Sequence, residues 1–341
     1  MKRWITKVIQ EDSRDSVSKA REDVITLGHT MGYETTYIYR YQDANEDHYA
    51  LHSRIDGITA GILPGDLLVY QYPSYNGIQF DRLFLTRMAH RGIIVSLFVH
   101  DIEYLRGAVD QKDEVAVFQS VHSMIIHGQA MKEALRSSGV TVPLIQKEFF
   151  DYLHTGITVG SVKQSEIKQL VIAGNLNKSS FLNEWPYPLP IMAFGDTDQR
   201  IHSSFVRHMG SFSPSELIQK IPQNSLGLAW DTDLDHGGAY QQYTKYNSPH
   251  KISLYLSLGI PVVVWDQSGI APIIKQKNVG ITIATLDELP KIWETLSSDQ
   301  MIQMKQNAIT LSRQLTHGMF TRKSLLAAEM IALDYSTRGD L

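Results

Sequence analysis

The chain has 341 residues, no cysteine, 43% hydrophobic residues and a formal net charge of −4. At about 100–200 residues per domain, that length suggests two domains, and the missing cysteines exclude disulfide scaffolds, thiolate metal sites and thiol nucleophiles together. The 32 Lys and Arg residues against 36 Asp and Glu lack the basic excess of a general nucleic-acid binder.

No apolar run approaches the roughly 20 residues of a bilayer span. The opening eight residues, Met1 to Val8, are partly basic but carry no apolar stretch of signal-peptide length. The expectation is a cytoplasmic protein with no integral membrane segment.

In chain order, the first half alternates strands and helices. A strand over 4–9 leads to a helix over 16–31, which Gly32 closes. A second strand covers 35–41, a short amphipathic helix 53–60, and a third strand 67–71. A helix over 81–91 stops at Gly92 and a fourth, fully apolar strand comes next over 93–100. Another strand at 120–127 and a helix at 131–138 complete this series at Gly139.

A polar stretch over 155–167 separates it from a second series. There, strands are expected at 169–173, 190–194, 225–230 and 260–265, and helices at 214–221, 249–258, 269–275, 287–295 and 299–312. A last amphipathic helix over 320–333 can pack back on the first series. The α/β alternation predicts two Rossmann-like domains with parallel sheets, facing across a central cleft. Their boundaries are read as 1–155, 156–317 and a C-terminal helix in 318–341. Ligands gather at the carboxyl ends of such strands, where the polar segments 7–16, 71–76 and 100–103 fall.

The most informative stretch runs from Tyr246 through Asn247, Ser248, Pro249, His250 and Lys251 to Gly259, Ile260 and Pro261. Ser248 suits a helix cap and Pro249 the first helical position. The free N–H groups and dipole of that helix N-terminus favour an anion. Lys251 in the first turn opposes the dipole unless an anion lies between them, and a pyrophosphate is the natural candidate. Read alone, the stretch also fits an ordinary capped helix with a solvated lysine.

This element resembles the donor-binding helix of GT-B glycosyltransferases. More closely, the chain resembles the glucosyltransferase 3 family, which glycosylates serine-rich repeat adhesins of streptococci and lactobacilli. The resemblance rests on Gly32-Tyr33, Tyr39-Arg40-Tyr41-Gln42, Asp56-Gly57-Ile58 with Ala60-Gly61, and Gly65-Asp66. It continues through Gln71-Tyr72-Pro73-Ser74-Tyr75-Asn76, Phe98-Val99-His100-Asp101, Gly174-Asn175, Glu184-Trp185 and Phe320-Thr321-Arg322.

The resemblance implies a GT-B fold with the nucleotide in the C-terminal half and the acceptor facing the N-terminal half. It places the UDP-sugar on Ser16, Lys178, Phe212 and the segment Tyr246, Asn247, Ser248, Pro249, His250 and Lys251. His100 and Asp101 come just after a buried strand, where an imidazole or carboxylate can take a proton from an acceptor hydroxyl. Gln71, Ser74, Tyr75 and Asn76 form the implied acceptor shelf. Many retaining GT-B enzymes carry two glutamates eight positions apart at this helix, whereas Tyr246 and Leu254 stand there in this chain. Retention or inversion is therefore not inferred.

Asp231, Asp233, Asp235 and His236 lie on the preceding loop and can reach a donor sugar. No metal and no cofactor is expected, since GT-B enzymes stabilise the leaving diphosphate with cations and helix dipoles. The function implied is transfer of a hexose, foremost glucose from UDP-glucose, to a sugar on a glycosylated serine-rich repeat protein. A homo-oligomer is implied as well. The competing readings are a non-catalytic glycopeptide-binding partner and a cell-wall or capsule polysaccharide glycosyltransferase.

Overall fold

The computed structural model describes residues 1–9, 16–40, 46–155, 167, 169–234 and 238–338. The expectations for Tyr41, Gln42, Asp235, His236 and most of the 155–167 stretch lie outside those residues. The chain divides into two units. Among the described residues, the first holds 1–9, 21–40, 46–147 and 320–338, and the second holds 16–20, 148–155, 167, 169–234 and 238–319.

In the first unit, β1 (Arg3–Ile9), β2 (Glu34–Tyr39), β3 (Leu67–Tyr72), β4 (Ile94–Val99), β5 (Ser123–Ile126) and β6 (Leu144–Gln146) form one sheet. Its order is β2-β1-β3-β4-β5-β6, and every pairing is parallel. Every residue of β3, β4 and β5 is buried, as expected of strands covered on both faces. The helices are α1 (Ser16–Thr30, in this unit from Arg21 onward), α2 (His48–Ile58), α3 (Ile78–His90), α4 (Gln111–Phe118) and α5 (Gln129–Ser137). Helix α2 begins five residues before the predicted start, because the Asp47 side chain accepts from Ala50 N at 2.9 Å and caps it there.

The second unit repeats the plan with β7 (Gln169–Ala173), β8 (Ile191–Phe194), β9 (Val206–Gly210), β10 (Ser225–Ala229), β11 (Val262–Trp265) and β12 (Gly280–Ile283). Its all-parallel order is β12-β11-β10-β7-β8-β9. This doubly wound arrangement reverses its strand order between β7 and β10, where Rossmann-type sheets bind their ligands. Its helices are α6 (Pro214–Lys220), α7 (Tyr240–Tyr243), α8 (His250–Ser257), α9 (Ala271–Lys277), α10 (Leu289–Thr295) and α11 (Ser298–Thr316). The core draws on Leu170, Ile172, Leu226, Leu228, Val263 and Trp185.

The last helix, α12 (Met319–Arg338), belongs to the first unit from Phe320 onward. Glu329 on it pairs with Arg3 at 3.2 Å, and Tyr335 meets the His122 ring edge-on at 5.0 Å. No helix among the described residues is long and apolar enough to cross a membrane.

Two glycines set the geometry at the carboxyl ends of the second sheet. A Cβ on Gly227 of β10 would lie 2.3 Å from the Tyr255 ring, so only glycine lets α8 press that ring onto the strand. The buried Tyr255 hydroxyl accepts from Ala173 N at 2.7 Å, which fastens α8 to β7 where the strand order reverses. Gly195 has φ +140°, and a Cβ there would sit 1.7 Å from the Gly174 carbonyl oxygen, so the loops after β7 and β8 touch backbone to backbone.

Candidate functional site

Each unit carries a cluster at the carboxyl ends of its strands. In the second unit, the switch between β7 and β10 brings two loops together. The loop after β7 turns at Gly174 and Asn175, whose side chain accepts from Asn177 N at 3.0 Å, and ends in a single 3-10 turn at Lys178. The loop after β10 carries Asp231, Thr232 and Asp233. Thr232 N donates to the Lys178 carbonyl oxygen at 2.7 Å and ties the loops.

Both predicted cations are held here. Lys251 Nζ donates to Asp231 Oδ1 at 2.6 Å, with the two side chains only 17% and 14% exposed. Lys178 Nζ stands 4.2 Å above the Tyr240 ring, a cation–π contact. Asp233 Oδ1 accepts from Gln241 N at 2.7 Å and Gln242 N at 3.2 Å and so caps α7. Among the described residues no three His, Asp or Glu side chains gather in a metal-holding group.

The start of α8 differs from the sequence expectation. Pro249, not Ser248, occupies the cap position, with φ −59° and ψ 132°, and makes no side-chain cap bond. Proline has no N–H to offer, and its extended ψ leaves its carbonyl to accept from Ile252 N at 3.0 Å. Ser248 is buried behind it. The His250 ring lies 5.0 Å from Tyr152 and 5.8 Å from Phe150. Tyr246 and Asn247 are half-buried in the turn after α7, their N–H groups donating to the Tyr243 carbonyl at 3.0 and 3.2 Å.

Phe212 has surroundings of its own. Its ring is 6.3 Å from Phe194 and under Lys220 Nζ at 4.6 Å. Ser16 opens α1, and its side chain lies outside the described residues.

In the first unit the cluster sits after β3 and β4. His100 Nε2 meets Gln71 Oε1 at 2.8 Å, and Gln71 Nε2 donates to the Thr6 carbonyl at 2.8 Å. That second bond orients the amide, so Oε1 must accept from His100. His100 therefore carries its proton on Nε2, which makes Nδ1 the basic nitrogen of the neutral ring. Gln71 is 0% exposed, and Ser74, also 0% exposed, is bonded to Asp81. Both side chains are thus framework beneath the predicted shelf, and its reachable members are Tyr75 and Asn76, half-buried.

Tyr75 has φ +59°, a left-handed conformation that costs a non-glycine residue of order 1–3 kcal/mol. Its hydroxyl donates to Asp101 Oδ2 at 3.0 Å, and Arg21 and Arg40 make cation–π contacts with its ring at 5.2 and 5.4 Å. Arg21 is buried and donates to the Gln71 and Pro73 carbonyl oxygens. Burial lowers its pKa, while Tyr75, Asp101 and Asp81 oppose that shift. Asp81 is held above the usual carboxylate range by burial, against hydrogen bonds from Ser74 and Tyr70. Glu114 of α4 pins the loop that bears Asp101, accepting from Glu103 N at 3.0 Å and Tyr104 N at 2.6 Å.

Sequence reasoning does not single out Arg21, Asp81, Glu114, Tyr240 or Gln241. A buried charge in a helix gives no local signal, and Tyr240 and Gln241 lie in a stretch that reads as loop.

Comparison with known proteins respects the same division. The profile described as "Glucosyltransferase 3-like, N-terminal domain" matches residues 2–149, and its C-terminal counterpart matches residues 170–328. Glucosyltransferase 3 of Streptococcus gordonii is 25% identical over 337 residues, covering 98% of this chain and all of that one. The β-1,6-galactofuranosyltransferase WbbI of Escherichia coli K12 is 25% identical over 332 residues, covering 95% and 97%.

Among solved structures, α,α-trehalose 6-phosphate synthase of Burkholderia multivorans has a TM-score of 0.65 at 11% identity, covering 99% of this chain and 98% of that one. HepE of Anabaena, solved with UDP and glucose, has a TM-score of 0.60 at 11% identity, covering 97% and 100%. Those likenesses carry the fold, GT-B. With both domain profiles matched in order along nearly its whole length, the chain belongs to the glucosyltransferase 3-like family and is a hexose-transferring enzyme of the GT-B fold.

Proposed function

We propose that the chain transfers glucose from UDP-glucose to a sugar, GlcNAc or glucose, already O-linked to Ser or Thr of a serine-rich repeat adhesin. The observation that carries the donor half is the pair Lys178 and Lys251. They lie on elements joined through Thr232 and Asp231 at the ends of the two switch-point strands, beside a helix N-terminus whose cap residue is Pro249. A diphosphate leaving group needs this chemistry: fixed positive charge that strengthens its hold as negative charge develops. Binding would trade Lys251's contact with Asp231 for one with a phosphate oxygen. Ser16, Phe212, Tyr246, Asn247, Ser248, Pro249 and His250 are assigned to the rest of the nucleotide in this reading.

On the acceptor side, Asp101 or His100 takes the hydroxyl proton, and Tyr75 and Asn76 offer a ring and an amide to the acceptor sugar. Gln71 and Ser74 act through the residues they hold. The UDP-sugar is a substrate, and the reaction so drawn calls on no cofactor.

The similarity to WbbI favours one second reading, transfer of a hexose to a polysaccharide precursor. Mass spectrometry of a preglycosylated adhesin fragment and of a lipid-linked sugar, each incubated separately with UDP-glucose, UDP-GlcNAc and UDP-galactose, tests both. One added hexose with UDP-glucose is the expected result. Transfer only to a lipid-linked sugar would replace the adhesin by a polysaccharide acceptor. Calorimetric titration with UDP addresses the non-catalytic alternative, since a glycopeptide-binding partner would show no UDP binding.

A further inference from the structure

Beside the Asp231–Lys251 pair lies an orphaned donor. Gln241, in α7, accepts the Asp231 backbone N–H on Oε1 at 3.3 Å. A glutamine amide has one acceptor end and one donor end. With its oxygen committed to Asp231, the donor end has a set direction, and Nε2 is buried without a hydrogen-bond partner among the described residues. Buried polar groups in native proteins are nearly always satisfied, so an orphan of this kind needs an explanation.

Asp231 supplies the complement. Its Oδ1 holds Lys251, while Oδ2 has no hydrogen-bond partner among the described residues. A carboxylate acceptor and an amide donor are thus joined through one direct hydrogen bond at the carboxyl end of β10. Asp233 fixes the backbone of Gln241 and Gln242 at the head of α7, so the Gln241 amide moves only about its own side-chain bonds.

We propose that Asp231 Oδ2 and Gln241 Nε2 read hydroxyl groups of the donor hexose, one hydroxyl donating to the carboxylate and another accepting from the amide. This rests on the reading of Lys251 as a diphosphate ligand. Two features favour the sugar over other parts of the donor. An ionised phosphate oxygen has no proton to donate to Asp231 Oδ2, whereas a sugar hydroxyl has one. Uracil offers a similar donor and acceptor, but the ribose separates it from the diphosphate, whereas the hexose is bonded directly to the phosphate that Lys251 would face.

The test uses the full chain with Gln241→Met, which keeps the side-chain length but cannot donate, and Gln241→Glu, which keeps the bond from Asp231 N–H but replaces the donor by an acceptor. UDP affinity is read by calorimetry, and KM and kcat with UDP-glucose and UDP-galactose. Of the two variants, Gln241→Met should bind UDP within about two-fold of the parent, since it adds no charge beside Lys251. Both should raise KM for UDP-glucose about ten-fold or more and narrow the preference between the two hexoses, because a subsite built on hydrogen bonds discriminates through them. UDP affinity falling in step with UDP-glucose in Gln241→Met would overturn the proposal and assign the pair to the nucleotide. Unchanged KM and unchanged preference in the folded Gln241→Glu protein would overturn it too, leaving Gln241 a brace for Asp231. Failure of the donor reading itself registers elsewhere, as unaltered UDP affinity in Lys251→Ala.

Discussion

At the end of β4, His100 and Gln71 hold each other at 2.8 Å, and the Gln71 amide nitrogen is also bonded, inside a unit where both residues are buried. At the end of β10, Asp231 holds Lys251 at 2.6 Å, partly open to solvent, with an unsatisfied amide next to it. The first arrangement is buried and hydrogen-bonded, and changing any member strands a buried partner. The second is charged and exchangeable, since an ion pair near water loses little when an anion replaces one member. In the proposed reaction, one cluster holds a shape for an acceptor while the other stores charge for a leaving group.

Two substitutions strain this contrast most. Asp101→Asn should lower turnover about 100-fold or more, in the range for loss of a general base, while UDP affinity stays constant. Lys251→Ala should lower turnover about 100-fold as well, but with weaker UDP binding and an unchanged fold by circular dichroism. If Asp101→Asn weakened UDP binding, or Lys251→Ala left turnover intact, the division of labour between the clusters would fail. A smaller effect is expected from Gly227→Ala. Its new methyl would meet the Tyr255 ring at 2.3 Å, an overpacking that costs about 1–3 kcal/mol. The urea midpoint should fall, and UDP affinity with it as α8 shifts. A second change, Tyr255→Leu, should recover part of the stability by making room.

The sheet centres are readable in the sequence because β3, β4 and β11 are buried throughout and largely apolar. The strands that carry no such signal, β6, β9 and β12, all lie at sheet edges, and none is buried along its length. Their partners define them, and partners are long-range information. The same holds for the sites. Lys251 stands out through Pro249 and Gly259, local signals of a helix start and stop. Gln71 and Ser74 look like ligand contacts because polar residues in a loop usually face water. Only the fold shows that Thr6 and Asp81 have taken them inward.

The closed character of the first unit also has a pH signature. His127 lies just after β5 and bonds the Val99 carbonyl at 3.0 Å, and burial together with nearby Lys147 depresses its pKa from the usual 6.5 to about 3. The folded protein keeps this ring neutral, whereas the unfolded chain takes a proton once pH drops below about 6.5. Between those values the unfolded state binds more protons, so this group's contribution is whole above pH 6.5 and is lost as pH falls toward 3. At pH 5 the loss is about 2 kcal/mol. Buried Asp81 and Glu114 act in the opposite sense, since burial raises both and the folded state then holds protons more tightly than the unfolded chain. The informative quantity is therefore a difference: the urea stability of the parent minus that of His127→Gln, at pH 7 and at pH 5. It should shrink by about 2 kcal/mol on acidification. A difference that stays constant would mean that the ring after β5 can be charged in place, and the end of the first sheet would be as open to rearrangement as the end of the second.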